Sequence, residues 1–160
     1  MEGSVIRDEG SFACALRALE SGEFAKAETE ISALLAQDRL SPENRAFLVN
    51  KRGVARVGLE LRELARGDFE EALRIKTTHA PALVNLGNLL LEEGNLDGAI
   101  ARYRSAIAAD PEYHVAHLNL GVAYKRTGRR AEAVRELRLA QRLEQRASSA
   151  LSFWRRARRP

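Results

Sequence analysis

His114 and His117 stand three residues apart, a spacing that would put two imidazoles on one face of a helix, as metal ligation requires. The acidic residues near them in sequence are Asp110 and Glu112, and the single Cys14 is far away. Packing in the core or at its rim is therefore the better reading of the pair, with His117 in a column that faces between helices; no metal is expected. Cys14 also falls in an inward column and reads as a buried, inert thiol. Asn85 and Asn119 are separated by 34 residues. Each amide can donate to a peptide C=O and accept from an N–H, so a repeated asparagine can grip backbone with little side-chain preference. Arg135, Arg138, Arg142 and Arg146 run down one helical face, and Arg155, Arg156, Arg158 and Arg159 extend that charge. Such a face could take phosphates or an acidic partner. Glu132, Glu136 and Glu144 offer neutralising helical pairs, and only Phe153 and Trp154 interleave with the arginines. A solvated surface ranks first for it, an acidic partner second and nucleic acid third. No phosphate loop, paired-carboxylate site or nucleophile motif is present, so neither enzymatic activity nor a cofactor is expected.

The elements that position these residues follow from composition and period. The chain has 160 residues, 45% apolar and 30% charged, a balance that argues against global disorder. Alanine and leucine contribute 26 and 22 residues, while Gly and Pro together contribute 15, which points to an all-helical chain. One cysteine cannot form an internal disulfide. The formal charge of +4 is unevenly spread. Residues 129 to 160 hold ten Arg and three Glu, which leaves residues 1 to 128 at −3. Arg outnumbers Lys 22 to 4, a skew to which genome composition also contributes. No apolar run reaches the ~18 residues of a membrane span. The first ten residues lack the regions of a signal peptide, so a complete chain would be expected in the cytoplasm.

A fixed offset organises the chain. Asn85-Leu86-Gly87 returns as Asn119-Leu120-Gly121, and the same 34 residues back from Gly87 lie at Gly53. The offset also carries Ala65 to Ala99 and Ala133, Phe69 to Tyr103 and Leu137, and Ala72 to Ala106 and Ala140. Small and large apolar residues each keep their own columns. Within 80–113, Leu83, Leu86, Leu90 and Leu91 predict one amphipathic helix broken at Gly94-Asn95. Ala99, Ile100, Tyr103, Ala106 and Ile107 predict a second, ended by Asp110-Pro111. Gly87 and Ala99 are small where two antiparallel helices cross closely, and Tyr103 is large where the pair fills its gap.

These columns resemble the tetratricopeptide repeat family, a 34-residue helix–turn–helix unit. The match is Leu86-Gly87, Ala99, Tyr103, Ala106 and Pro111 in 80–113. In 114–147 it is Leu120-Gly121, Tyr124, Gly128, Ala133 and Ala140. In 46–79, Gly53, Ala65, Phe69 and Ala72 match, but Arg52 and Arg56 stand where large apolar residues are expected. A degenerate unit fits 8–41 through Gly22, Phe24, Ala27, Ile31 and Leu34, with four extra residues around Ser41-Pro42. Gly67-Asp68-Phe69 imitates a turn, yet the uninterrupted phase places the turn near Gly58 and Gly67 inside the second helix. Ser148-Ser149 is expected to start a capping helix over about 148–158, with Leu151 and Trp154 inward. The resemblance implies a single all-α domain over 1–160, a right-handed superhelical array of antiparallel helix pairs.

It also implies a concave groove lined by the first helices, holding a peptide or helix of another protein. The columns Ala13, Lys51, Asn85, Asn119 and Phe153 should point into it. Phe47, Asn50, Val54, Val84, Asn88, Leu118, Val122 and Lys125 stand beside them. Asn85 with Asn119 is similar to the asparagine ladder of some family members, set against the plainer reading of a solvated helix face. Val84, Leu118 and Val122 are expected to offer apolar pockets. The Lys/Arg clamp for a C-terminal carboxylate is not matched, since Asn50, Val54, Val115 and Asn119 occupy its columns. The expected function is a non-enzymatic protein–protein interaction adaptor. The alternatives are a self-assembling or secretion-chaperone-like member, or binding of nucleic acid or an acidic partner through the C-terminal arginines.

Overall fold

In a computed structural model, the described residues are 5–37 and 40–157, with side chains described for 10–37 and 40–149. They form eight helices and no strand: α1 Val5–Glu20, α2 Phe24–Leu35, α3 Pro42–Gly58, α4 Arg62–Ile75, α5 Ala80–Glu92, α6 Leu96–Ala109, α7 His114–Arg126 and α8 Arg130–Ala157. The turn between α3 and α4 follows Gly58, and Gly67 lies inside α4, as the repeat phase requires. No described helix is long and apolar enough to cross a membrane.

The tight turn within each hairpin is built the same way. The N–H of Glu23, Leu61, Asn95 and Arg129 each returns to the carbonyl five residues earlier, that of Ala18, Arg56, Leu90 and Tyr124. This is the Schellman ending, which needs one left-handed residue just past the helix. Gly22, Gly94 and Gly128 supply it with φ of 76°, 83° and 76°, whereas Glu60 fills the same place with φ 61°. Two helices, α3 and α6, start on side-chain caps. Ser41 Oγ accepts from the Asn44 N–H at 3.2 Å, and Asn95 Oδ1 from the Gly98 N–H at 2.9 Å.

The chain forms two compact units, Met1–Asn85 and Leu86–Pro160. In the first, successive helices pack as α1 on α2, α2 on α3 and α3 on α4. Their apolar stripes bury Ala15, Ile31, Leu34, Leu48, Val49 and Ala72 in one core. Ala18, Ala27 and Ala55 form a smaller cluster where the helices come closest. The arginines that break the family pattern are accommodated by charge. Arg52 grips the Asp68 carboxylate with Nε and Nη2, the shorter bond being 2.7 Å. Arg56 reaches the same carboxylate at 3.0 Å and Glu28 at 2.9 Å. Asp68 has a side chain only 4% exposed, so two guanidiniums compensate one buried carboxylate.

In the second unit α6 packs on α7 and α7 on α8, and Tyr103, Leu120, Ala123, Tyr124, Ala133 and Ala140 are buried. α8 runs 28 residues without interruption, so Ser148 and Ser149 lie inside it rather than capping a new helix. The reason is local: from Glu144 to Ala157 there is no Gly or Pro, and the flanking Gln, Arg, Ala and Leu are good helix formers. The side chains of Leu151 and Trp154, expected to point inward, lie outside the described residues.

Candidate peptide-binding faces

Asn85 and Asn119 both take part in amide pairs between neighbouring first helices. In the first unit Asn85 Nδ2 donates to Asn50 Oδ1 at 2.9 Å. In the second, Asn119 Nδ2 donates to Asn88 Oδ1 at 2.8 Å. Asn88 Oδ1 also accepts from the Tyr103 hydroxyl at 2.8 Å, a bond that reaches from α6 through to the first-helix face. Burial holds the Tyr103 phenol neutral, pushing its pKa up to about 12. The hydroxyl is therefore a permanent donor. With its oxygen occupied twice, the Asn88 amide has its N–H groups left to offer, and Asn119 keeps its Oδ1 and one N–H.

The same face of α7 carries Leu118 and Val122, 45% and 39% exposed, with exposed Lys125 one turn further on. These are adjacent at helical spacing, opposite the buried Ala116, Leu120 and Ala123. Two assigned residues are not surface. Val84 is 2% exposed and Asn50 3%, so Val84 belongs to the core, and Asn50 serves as the internal acceptor for Asn85. Lys51 lies with its ammonium 5.2 Å from the Phe47 ring centroid, a cation–π contact. Ala13 is exposed and Val54 partly so.

His117 is buried, with Nδ1 2.8 Å from Glu136 Oε2 and Nε2 3.0 Å from the Pro111 carbonyl. Both ring nitrogens are thus engaged within the protein, and Glu136 pairs across helices with His117. Glu132 does pair along its own helix end, with Arg129. Cys14 is only half-buried: its thiol donates to Glu30 Oε1 at 3.4 Å and lines a cavity between α1 and α2. The expectation of an enclosed thiol is corrected accordingly; α2 leaves that side of α1 open.

Arg135, Arg138, Arg142 and Arg146 are all exposed along α8. The first three, with Val134, line an open hollow of about 590 Å³. Arg155 and Arg156, with Arg158 and Arg159, lie outside the described side chains. Phe12, His79 and Lys76, which no motif singled out, gather beside Phe47 in the first unit. With Phe47 they come from α1, α3 and the connection between α4 and α5, so no sequence spacing could have joined them.

Comparison with known proteins agrees with the architecture. Residues 87–128 match the family model described as TPR repeat, and residues 114–146 the one described as Tetratricopeptide repeat. Among solved structures, MamA superposes with a TM-score of 0.68 at 22% identity, over 89% of this chain and 81% of that one. MamA from Desulfovibrio magneticus RS-1, from residue 41 to its end, gives 0.65 at 20% identity, over 89% and 77%. YrrB, described as a TPR protein with an unusual peptide-binding site, gives 0.62 at 21%, over 92% and 74%. These likenesses establish the fold, and residues 87–146 carry sequence matched by the tetratricopeptide repeat models.

Proposed function

We propose that this protein is a non-enzymatic adaptor whose first-helix faces hold a peptide segment of another protein. The observation that carries the reading is the pairing of Asn85 with Asn50 and of Asn119 with Asn88. Each pair is pre-oriented by an internal bond while keeping spare amide groups, so backbone could be bound without first ordering the side chains. Exposed Leu118 and Val122 supply apolar contact beside Asn119, and Lys125 a cation. Val84 takes no part, being core. The test is capture from the native cell with the intact chain against an Asn85→Ala, Asn119→Ala variant of unchanged helicity. A partner retained equally by both would remove the ladder.

A second reading rests on Arg135, Arg138, Arg142 and Arg146, all exposed along α8. It is an acidic partner rather than nucleic acid, because no described aromatic side chain interleaves with them for stacking on bases. This reading requires binding that weakens steeply with salt and disappears in Arg135→Gln, Arg138→Gln, Arg142→Gln. Homo-oligomerisation is a third arrangement that light scattering would reveal.

A further inference from the structure

The first unit contains a cavity of about 400 Å³ lined by Phe12, Glu43, Asn44, Phe47, Lys76 and His79. Its lining comes from α1, from the start of α3 and from the connection between α4 and α5. The Phe12 and Phe47 rings stack with centroids 5.6 Å apart and planes 18° from parallel, and both are partly exposed. This gives the cavity an aromatic wall that its own core does not cover.

The polar side is set by His79. Its Nδ1 accepts the Ala82 N–H at 3.2 Å, capping α5. In the neutral ring the proton therefore sits on Nε2, and the imidazole lines the cavity. Burial, then the neighbouring Lys76, holds this imidazole below its usual pKa, so the neutral form is the one present at pH 7. Beside it stands the exposed Lys76 ammonium, with the Asn44 amide nearby. Lys51 adds a second cation over Phe47. Glu43 is the opposing charge, and it sits exposed at the start of α3. The cavity thus joins an apolar aromatic wall to an excess of hydrogen-bond donors and positive charge.

We propose that this cavity is a specificity pocket for an aromatic side chain adjacent to a carboxylate in an extended segment of a partner protein. The proposal rests on the peptide-adaptor reading and names the chemistry that one of its faces selects. The aromatic ring packs on Phe12 and Phe47, for which stacked or edge-on geometry favours rings over aliphatic groups. The carboxylate accepts from His79 Nε2 and pairs with Lys76. A ring followed by a lysine places like charges together and leaves the His79 donor unmatched.

The test uses the full chain and fluorescein-labelled hexapeptides read by anisotropy. Gly-Gly-Trp-Glu-Gly-Gly should bind at least tenfold tighter than the same peptide with Trp-Lys or Ala-Glu at its centre. Lys76→Gln combined with His79→Asn should abolish the Trp-Glu preference. Asparagine retains a cap for the Ala82 N–H, so α5 keeps its start. Phe47→Leu should weaken the Trp peptide tenfold with little effect on the Ala peptide. Absence of binding by the Trp-Glu peptide, equal binding of all three, or insensitivity to these variants would overturn the pocket. Asn85→Ala, Asn119→Ala should leave the hexapeptide preference intact, so loss of the natural partner in that variant and loss of the preference in the pocket variants report on separate ideas.

Discussion

The ring of Tyr103 lies so close to the backbone of Gly87 that a Cβ built on the glycine would stand 2.5 Å from Tyr103 Cε1. The same contact recurs one repeat earlier between Gly53 and Phe69 at 2.5 Å, and one later between Gly121 and Leu137 at 2.7 Å. Gly87→Ala therefore forces a rigid, fully buried ring to move, and should destabilise the second unit by about 1–3 kcal/mol in urea unfolding. Adding Tyr103→Leu should recover part of that loss. Gly121→Ala should be milder, because a leucine can change rotamer, although the Ala133 carbonyl at 3.3 Å limits the gain.

Glu60 occupies the left-handed turn position that glycine fills in the other three hairpins. A residue with a Cβ is strained there by roughly 1–2 kcal/mol. Part of that is offset because glycine loses more freedom on folding. Glu60→Gly should raise stability by about 0.5–1 kcal/mol. Gly94→Ala, the opposite change at the equivalent place, should lower it by at least as much. No change in the urea midpoint of either variant would show that the turn relaxes without strain.

What was readable in the sequence was the 34-residue beat, because Gly against large ring and Ala against Ala are steric requirements that recur as residue types. Gly67 within α4 followed from that phase alone. The left-handed residue of the third helix's turn was not readable: Gly58 carries the usual turn signal, while the backbone reverses two residues later at Glu60. Val84 departs from the expected apolar pocket for a different reason. A helical column states which side a residue faces but not how far neighbouring helices cover that side, and Val84 is covered. The His117–Glu136 and Arg52–Asp68 pairs join residues 19 and 16 apart across a helix crossing, where one-dimensional spacing has no pairing rule.

Asp68 pairs with both arginines in the apolar column, so its removal leaves the partly buried Arg52 guanidinium without this carboxylate and Arg56 with Glu28 alone. Asp68→Ala should destabilise the first unit by about 3–5 kcal/mol. Replacing all three, as Arg52→Leu, Arg56→Leu and Asp68→Ala, restores the apolar column of the family. It should return stability to near the starting value, since Glu28 is 26% exposed and can be solvated. A triple variant as unstable as Asp68→Ala would show that the network does more than balance charge.

His79 gives the first unit an acid sensitivity of known sign. Its pKa is lowered in the folded chain by burial and then by Lys76, so the unfolded chain takes up the proton first as pH falls. Its contribution is complete above about pH 6.5 and declines below that as the folded pKa is approached. The urea midpoint of the intact protein should fall more between pH 7.5 and 5.5 than that of His79→Asn, which keeps the α5 cap. Parallel pH profiles for the two proteins would contradict this.

Tyr103 carries the same logic to the alkaline side, and also links the hairpin core to the asparagine face. Its phenol ionises near 12 in the folded protein against about 10 when unfolded, so the unfolded chain loses its proton first. The stability it contributes is full below pH 10 and is lost as pH rises toward 12. Tyr103→Phe keeps the ring against Gly87, removes that alkaline slope, and at neutral pH costs about 1 kcal/mol for the missing bond to Asn88. Asn88→Leu should cost more, about 1–3 kcal/mol, because it leaves both the buried hydroxyl and the Asn119 Nδ2 without an acceptor. Asn88→Asp keeps an acceptor for both donors and should fold like the parent. It replaces the outward N–H groups with an oxygen, so it should weaken a bound peptide wherever Asn88 donates to a backbone carbonyl. Comparing unfolding and partner capture for Asn88→Leu and Asn88→Asp thus separates the amide's internal role from its external one.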